Sequence, residues 1–82
     1  MTIRSRILTS IHELLAEKNI EPKEPIDDNT VLLSTGLDSL GFAVLVVRLE
    51  LELGFDPFVA MQEPFYPRTL SEFVRMYESY KP

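Results

Sequence analysis

The residue of this chain best suited to a chemical role is a serine that follows an aspartate. Residues 34–41 read S-T-G-L-D-S-L-G, which places Asp38 and Ser39 where a loop is predicted to become an apolar helix. An aspartate or serine at such a point commonly serves as the helix N-cap. The exposed hydroxyl of Ser39 is equally a group to which another enzyme can attach a substituent, and the motif fits both interpretations.

A catalytic role for this serine lacks the necessary partners. A serine nucleophile requires a base that takes its proton and a group that orients the base. The single histidine, His12, lies in another predicted helix. A G-x-S-x-G nucleophile elbow requires glycine two residues before the serine, and Leu37 occupies that position here. The chain has no cysteine and one histidine, and its carboxylates are spread along loops and helix ends rather than paired. We therefore predict neither a catalytic residue nor a metal site. A hydrolase that pairs Ser39 with His12 is kept as a third hypothesis.

The composition limits the class of partner. The chain has 82 residues, which predicts one domain over 1–82, and its net charge is −5. An acidic chain disfavours nucleic acids and anionic membranes and favours basic protein partners. The longest apolar run, 42–47, is too short to span a bilayer, and the N-terminus is unlike a secretory signal. We therefore expect a cytoplasmic monomer.

The apolar pattern of the first half predicts two long helices. Apolar residues at helical spacing predict an amphipathic helix over 3–18, and the prolines and acids of 21–30 predict a long ordered loop. Residues 31–33 are expected to pin that loop to the core. A second helix should begin at Ser39 or the residue before it and continue to about Leu53.

Capping residues predict the remaining helix ends. Gly54 should stop the second helix, and Asp56 followed by proline should open a short helix that Pro64 closes. T-L-S-E at 69–72 is a capping box that opens a last helix to about Tyr80. No segment alternates with a period of two. The fold class predicted is all-α, a four-helix bundle of three main helices and one short helix, with a long loop between helices 1 and 2.

The predicted second helix has two apolar faces. The stripe expected to face the core contains Phe42, Leu45, Val46, Leu49 and Leu53. The opposite side carries a second stripe, here named the docking stripe, which contains Leu40, Val44, Val47 and Leu51. Because four helices can hardly bury both sides, we expect the docking stripe, with Arg48 beside it, to be largely exposed and to bind partner proteins. The alternative is that both stripes belong to the core.

The motif and its context resemble a known family. G-L-D-S-L at 36–40, opening an apolar helix that ends L-E-L-G-F, resembles the phosphopantetheine attachment site of acyl and peptidyl carrier proteins, typically G-x-D-S-[LI]. Chain length, acidity and helix order are similar over essentially the whole chain. The resemblance implies that a separate Mg²⁺-dependent phosphopantetheinyl transferase attaches 4′-phosphopantetheine from coenzyme A to Ser39. It also implies that Asp38 matches the family's acid before the serine, and that the docking stripe contacts partner enzymes.

The resemblance further implies a carrier that is not itself an enzyme. The arm's thiol would hold an acyl or aminoacyl group, loaded by an adenylating ligase and used by downstream acyl-using enzymes. The second helix has acids only at Glu50 and Glu52, unlike fatty-acid-synthase carriers, which indicates a role outside housekeeping fatty acid synthesis. An apolar docking face is more like peptidyl or aminoacyl carriers, although their L-G-G-x-S motif is absent. The alternative function is a small helical interaction module without a prosthetic group, in which Asp38 and Ser39 only cap a helix.

One feature of the sequence bears on the chemical nature of the cargo. Four phenylalanines could fill a cavity between the helices, and this mildly favours a short or polar cargo; they are Phe42, Phe58, Phe65 and Phe73.

Overall fold

The computed structural model describes residues 2–62 and 65–82, and over these ranges the chain is helical. The α-helices are α1 (Ile3–Glu17), α2 (Ser39–Leu53), α3 (Pro57–Ala60) and α4 (Leu70–Ser79), and a 3₁₀ helix (Leu32–Ser34) lies in the first loop. No β-strand occurs in these ranges; one isolated bridge pairs residues 31 and 69. The predicted all-α, four-helix fold is confirmed. The predicted closure of the short helix at Pro64 lies outside the described residues.

Side-chain caps define the helix ends, as the sequence predicts. Asp56 opens α3 by accepting the N–H of Phe58 at 2.8 Å. At α4, the Thr69 hydroxyl accepts the N–H of Glu72 at 3.2 Å, and the Glu72 carboxylate accepts the N–H of Thr69 at 3.1 Å, which completes the capping box. Gly54 ends α2 in the left-handed conformation, with φ of 87°. None of the helices in the described part of the chain has the length and apolar character to cross a membrane.

The core lies where α1 packs against both α2 and α4. Its fully buried large side chains are Ile7, Ile11 and Leu15 of α1, Leu45 and Leu49 of α2, and Leu70, Phe73 and Tyr77 of α4. An aromatic series continues this core towards α3. The ring of Phe42 lies 5.2 Å from that of Phe73 and 6.4 Å, edge-on, from that of Phe58. These rings occupy the space between α2, α3 and α4.

Of the three residues at 31–33 that were expected to pin the loop before α2 to the core, one is buried. Leu32 is buried, and its N–H donates to the carbonyl of Arg68 at 2.8 Å. Val31 and Leu33, which the sequence analysis expected to help pin the loop, are exposed instead. Leu33 follows Leu32 within the 3₁₀ helix, where three residues complete one turn and consecutive side chains point in different directions. Val31 precedes this helix and has an extended backbone.

Candidate attachment site

Ser39 is the first residue of α2, and its side chain is exposed. The N-cap is Asp38, whose backbone is extended and whose carboxylate accepts the N–H of Gly41 at 2.7 Å. The first helical hydrogen bond then runs from the N–H of Phe42 to the carbonyl of Asp38, at 2.9 Å. The capping role therefore belongs to Asp38, and the hydroxyl of Ser39 lies on the protein surface.

The residues around Ser39 hold this turn in place. Gly36 has φ of 112°, and a Cβ built on it would lie 2.5 Å from Ile20 Cγ2, so only glycine fits. Leu37 is buried and anchors the turn in the core. Gly41 is buried beside it, and a Cβ there would lie 3.1 Å from Leu37 Cδ2. The sequence analysis did not predict that Leu37 anchors the turn. The sequence indicates this role only in that Leu37 is an apolar residue within a predicted loop, four positions before Gly41.

The start of α2 favours an anionic substituent on Ser39. The first N–H groups of a helix point outward from its N-terminus and carry the positive end of the helix dipole. A phosphate ester on the Ser39 hydroxyl would lie at this end, where negative charge is stabilised. The exposure of the hydroxyl and the sign of the local field both fit a phosphodiester-linked group.

An apolar groove of about 460 Å³ has Ser39 in its lining. It is lined by Leu32 and Leu33 of the 3₁₀ helix, Ser39, Phe42, Ala43 and Val46 of α2, Phe58 of α3, and Tyr66 and Pro67. No charged side chain belongs to this lining, as far as the chain is described. Sequence reasoning did not find the groove, because four separate segments form it. It assigned Phe42 and Val46 to the core, and both are only partly buried.

The docking stripe is largely exposed. Leu40, Val47 and Leu51 are 70%, 57% and 81% exposed, on the same helix as Ser39. Val44 differs from the expectation, because it is half-buried and packs against the core. It lies one turn before Arg48, whose side chain reaches Glu17 of α1.

Arg48 binds α1. Its guanidinium donates two hydrogen bonds of 2.6 Å to the two carboxylate oxygens of Glu17. These hydrogen bonds lower the pKa of Glu17 and raise that of Arg48. The ion pair joins α1 to α2, so a docking role for Arg48 would compete with it. Nothing in the sequence pattern signals a pair separated by 31 positions.

His12 is not brought together with Ser39. It is exposed on α1 and lines another surface depression, with Leu15 and Asn19. Over residues 2–62 and 65–82, no group of three or more His, Cys, Asp or Glu side chains is placed to hold a metal ion. Ser39 and His12 line different depressions of the described surface, so the hydrolase hypothesis gains no support.

One comparison with known proteins gives a match. A sequence model of the family described as a phosphopantetheine attachment site matches residues 5–76, which include Ser39 and the docking stripe. No curated protein and no solved structure matches the chain significantly.

Proposed function

This chain belongs to the family of phosphopantetheine-attachment domains, and on that premise we propose that Ser39 is the residue that receives the arm. The family match confirms the resemblance drawn from G-L-D-S-L. The protein is therefore a non-catalytic carrier whose prosthetic group is covalent 4′-phosphopantetheine. The observation that supports Ser39 is its exposed hydroxyl at the start of a helix that Asp38 caps.

The chemistry follows from this placement. In a separate transferase, the Ser39 oxygen would form a bond to the phosphorus of coenzyme A next to the pantetheine, and the pyrophosphate bond would break. Adenosine 3′,5′-bisphosphate would leave, and the hydroxyl proton would pass to a base of the transferase. The N-terminus of α2 would stabilise the charge of the diester, and Asp38 is close enough in sequence to assist a metal ion of the transferase. When bound, the arm supplies a thiol that holds an acyl or aminoacyl group as a thioester.

The docking stripe is the surface we assign to partner enzymes. These are the phosphopantetheinyl transferase, an adenylating acyl- or aminoacyl-ligase, and downstream acyl-using enzymes. Three observations support the assignment: exposed Leu40, Val47 and Leu51, their position on the helix that carries Ser39, and a rim with the exposed acids Glu50 and Glu52. Because acids occur only near the end of α2, a role outside housekeeping fatty acid synthesis belongs to the same proposal.

The attachment of the arm is tested by mass spectrometry. Incubation with coenzyme A and a broad-specificity transferase should add one phosphopantetheinyl group to the protein. Ser39→Ala should add none. Ser34→Ala, which removes another exposed serine five positions earlier, is the matched control and should be modified normally. An equal mass gain in Ser39→Ala would refute the assignment.

Two further statements remain predictions from the sequence, namely the cytoplasmic location and the monomeric state. The alternative of an interaction module without a prosthetic group is not favoured by the family match.

A further inference from the structure

The ion pair with Glu17 sets the direction of the only basic side chain of α2. This helix contains one cation, Arg48, and two acids, Glu50 and Glu52. The guanidinium of Arg48 donates hydrogen bonds of 2.6 Å to both carboxylate oxygens of Glu17, the last residue of α1. A contact at two points fixes the orientation of the planar guanidinium as well as its position. The side chain of Arg48 is therefore directed towards α1.

A released Arg48 side chain would be able to reach the docking stripe. At about 100° per residue, Arg48 lies roughly 70° from the centre of the stripe around the axis of α2. Val44 precedes it by four positions and Leu51 follows it by three, so both are its neighbours on the helix surface. The long aliphatic stem of an arginine can lie along apolar side chains while its charged end stays in water. The stripe is thus within reach of a positive charge that now points elsewhere.

The direction of Arg48 depends on one side chain of α1. Over residues 2–62 and 65–82, Glu17 is the only acid that lies within 4 Å of the guanidinium. Glu17 has the largest effect on the raised pKa of Arg48, and Glu13 and Glu52 have smaller ones. Glu52 in turn accepts a hydrogen bond of 3.3 Å from the buried hydroxyl of Ser10. Loss of Glu17 would therefore leave the guanidinium without its two-point contact.

The direction of this charge affects docking on the stripe. A partner that covers Val47 and Leu51 with apolar side chains removes this surface from water. A guanidinium caught beneath such a partner would lose hydration without gaining an ionic contact, which is unfavourable. Paired with Glu17 at the border of the stripe, the guanidinium keeps its ionic contact and stays out of the covered area. The stripe then presents no charge between Leu40 and Leu51.

We propose that Glu17 is a positioning residue for docking: by holding the Arg48 guanidinium against α1, it keeps the docking stripe uncharged and favours partner enzymes whose contact surface over Val47 and Leu51 is apolar. The proposal rests on the assignment of the docking stripe to partner enzymes. It adds to that surface a residue of α1 that lies outside the attachment motif. It also revises the expectation that Arg48 itself contacts partners.

The test measures KM and kcat separately, with the unmodified protein as the substrate of the broad-specificity transferase. Glu17→Gln should raise KM by about two- to fivefold, the size typical of one exposed ionic contact. We expect no change in kcat, because Arg48 lies about 13.5 Å along α2 from Ser39. Glu13→Gln is the matched control. It removes the same charge one turn earlier on α1, at an exposed residue that makes neither hydrogen bond, and should leave both constants unchanged.

A second variant distinguishes positioning from a purely structural contact. Glu17→Gln combined with Arg48→Gln lacks the ion pair but has no guanidinium to release, so KM should return to the value of the unsubstituted protein. A KM that stays raised in the double variant would show that the pair acts by fixing α1 against α2, and this would overturn the proposal. An unchanged or lowered KM in Glu17→Gln, or an equal rise in Glu13→Gln, would also overturn it. Urea unfolding of each variant checks that all are folded.

Failure of the proposed function would have a different signature. No mass gain in the unsubstituted protein, or an equal gain in Ser39→Ala, would refute attachment at Ser39. An unchanged KM in Leu51→Gln would refute the docking stripe, and with it the positioning role of Glu17.

Discussion

The buried hydroxyl of Tyr77 provides a sharp test of the packing described above. The ring of Tyr77 is fully buried, 5.1 Å from the ring of Phe73 and 5.8 Å from that of Phe55. Among the described residues its hydroxyl oxygen has no hydrogen-bond partner. In the unfolded chain water binds this hydroxyl, so folding leaves a hydrogen bond unmade, at a cost of about 1–3 kcal/mol.

We expect Tyr77→Phe to stabilise the protein, because it removes the unpaired hydroxyl and keeps the ring. A small void offsets part of the gain, so we expect about 1 kcal/mol in the free energy of unfolding. For a domain of this size, that corresponds to an increase in Tm of about 4–8 °C. Urea and thermal unfolding measure both. Tyr80→Phe, just after α4 and exposed, is the control and should change neither.

The same hydroxyl predicts an alkaline pH dependence. Burial raises the pKa of Tyr77 above its ordinary value of 10.0, and the negative charges of Asp56 and Glu50 add to the increase. Between the ordinary and the raised pKa, the phenol is ionised only in the unfolded chain. The ionisation of Tyr77 therefore does not change the free energy of unfolding below the ordinary pKa, and it lowers that free energy by about 1.4 kcal/mol per pH unit between the ordinary and the raised pKa. Tyr77→Phe should remove this part of the alkaline loss.

Two results would refute this reasoning. A loss of stability in Tyr77→Phe would show that the hydroxyl is hydrogen-bonded in solution. An unchanged alkaline slope would show that Tyr77 ionises as readily in the folded protein as in the unfolded chain.

Two further predictions concern the turn before Ser39 and the docking stripe. Gly36→Ala should destabilise the protein by about 2–5 kcal/mol in urea unfolding, because a positive φ costs about 1–2 kcal/mol and the contact with Ile20 about 1–3 kcal/mol. Gly54 also has a positive φ, but a Cβ built on it would have no neighbour within 4 Å, so Gly54→Ala should cost only about 1–2 kcal/mol for the backbone conformation. Equal losses of stability in the two variants would contradict the packing described for Gly36. Leu51→Gln should slow modification by the transferase while stability changes by less than about 0.5 kcal/mol. Val59→Gln, 83% exposed on α3, is its control, and equal rates for the two variants would exclude Leu51 from the docking surface.

The helix boundaries were predictable because their signals are local. Asp38, Asp56 and Thr69 each cap a helix through a hydrogen bond to an N–H two or three positions later. Such a bond depends on residues adjacent in sequence, so a short motif contains the whole interaction. The left-handed end of α2 at Gly54 is equally local.

The contacts that escaped sequence analysis are those between distant segments. The ion pair of Arg48 with Glu17 depends on the angle between two helices, and the burial of Val44 depends on which side of α2 that contact covers. The groove requires the 3₁₀ helix, α2, α3 and residues 66–67 to meet. The aromatic prediction was only partly right for the same reason. Phe42, Phe58 and Phe73 pack together, whereas Phe65 is 46% exposed.

Asp38 caps α2, whereas the hydroxyl of Ser39 is exposed, and this separation has a thermodynamic consequence. If the Ser39 hydroxyl were the N-cap, esterification would disturb the cap, and each modification would cost folding stability, up to about 0.5–2 kcal/mol. Because the Asp38 carboxylate binds the N–H of Gly41 instead, substitution on the neighbouring oxygen leaves the cap in place. By linkage, the cap in turn does not oppose the transferase or any enzyme that removes the arm. The helix start is therefore capped in the same way in the unmodified and the modified chain, and the charge of the diester adds its favourable interaction with the helix dipole to that cap.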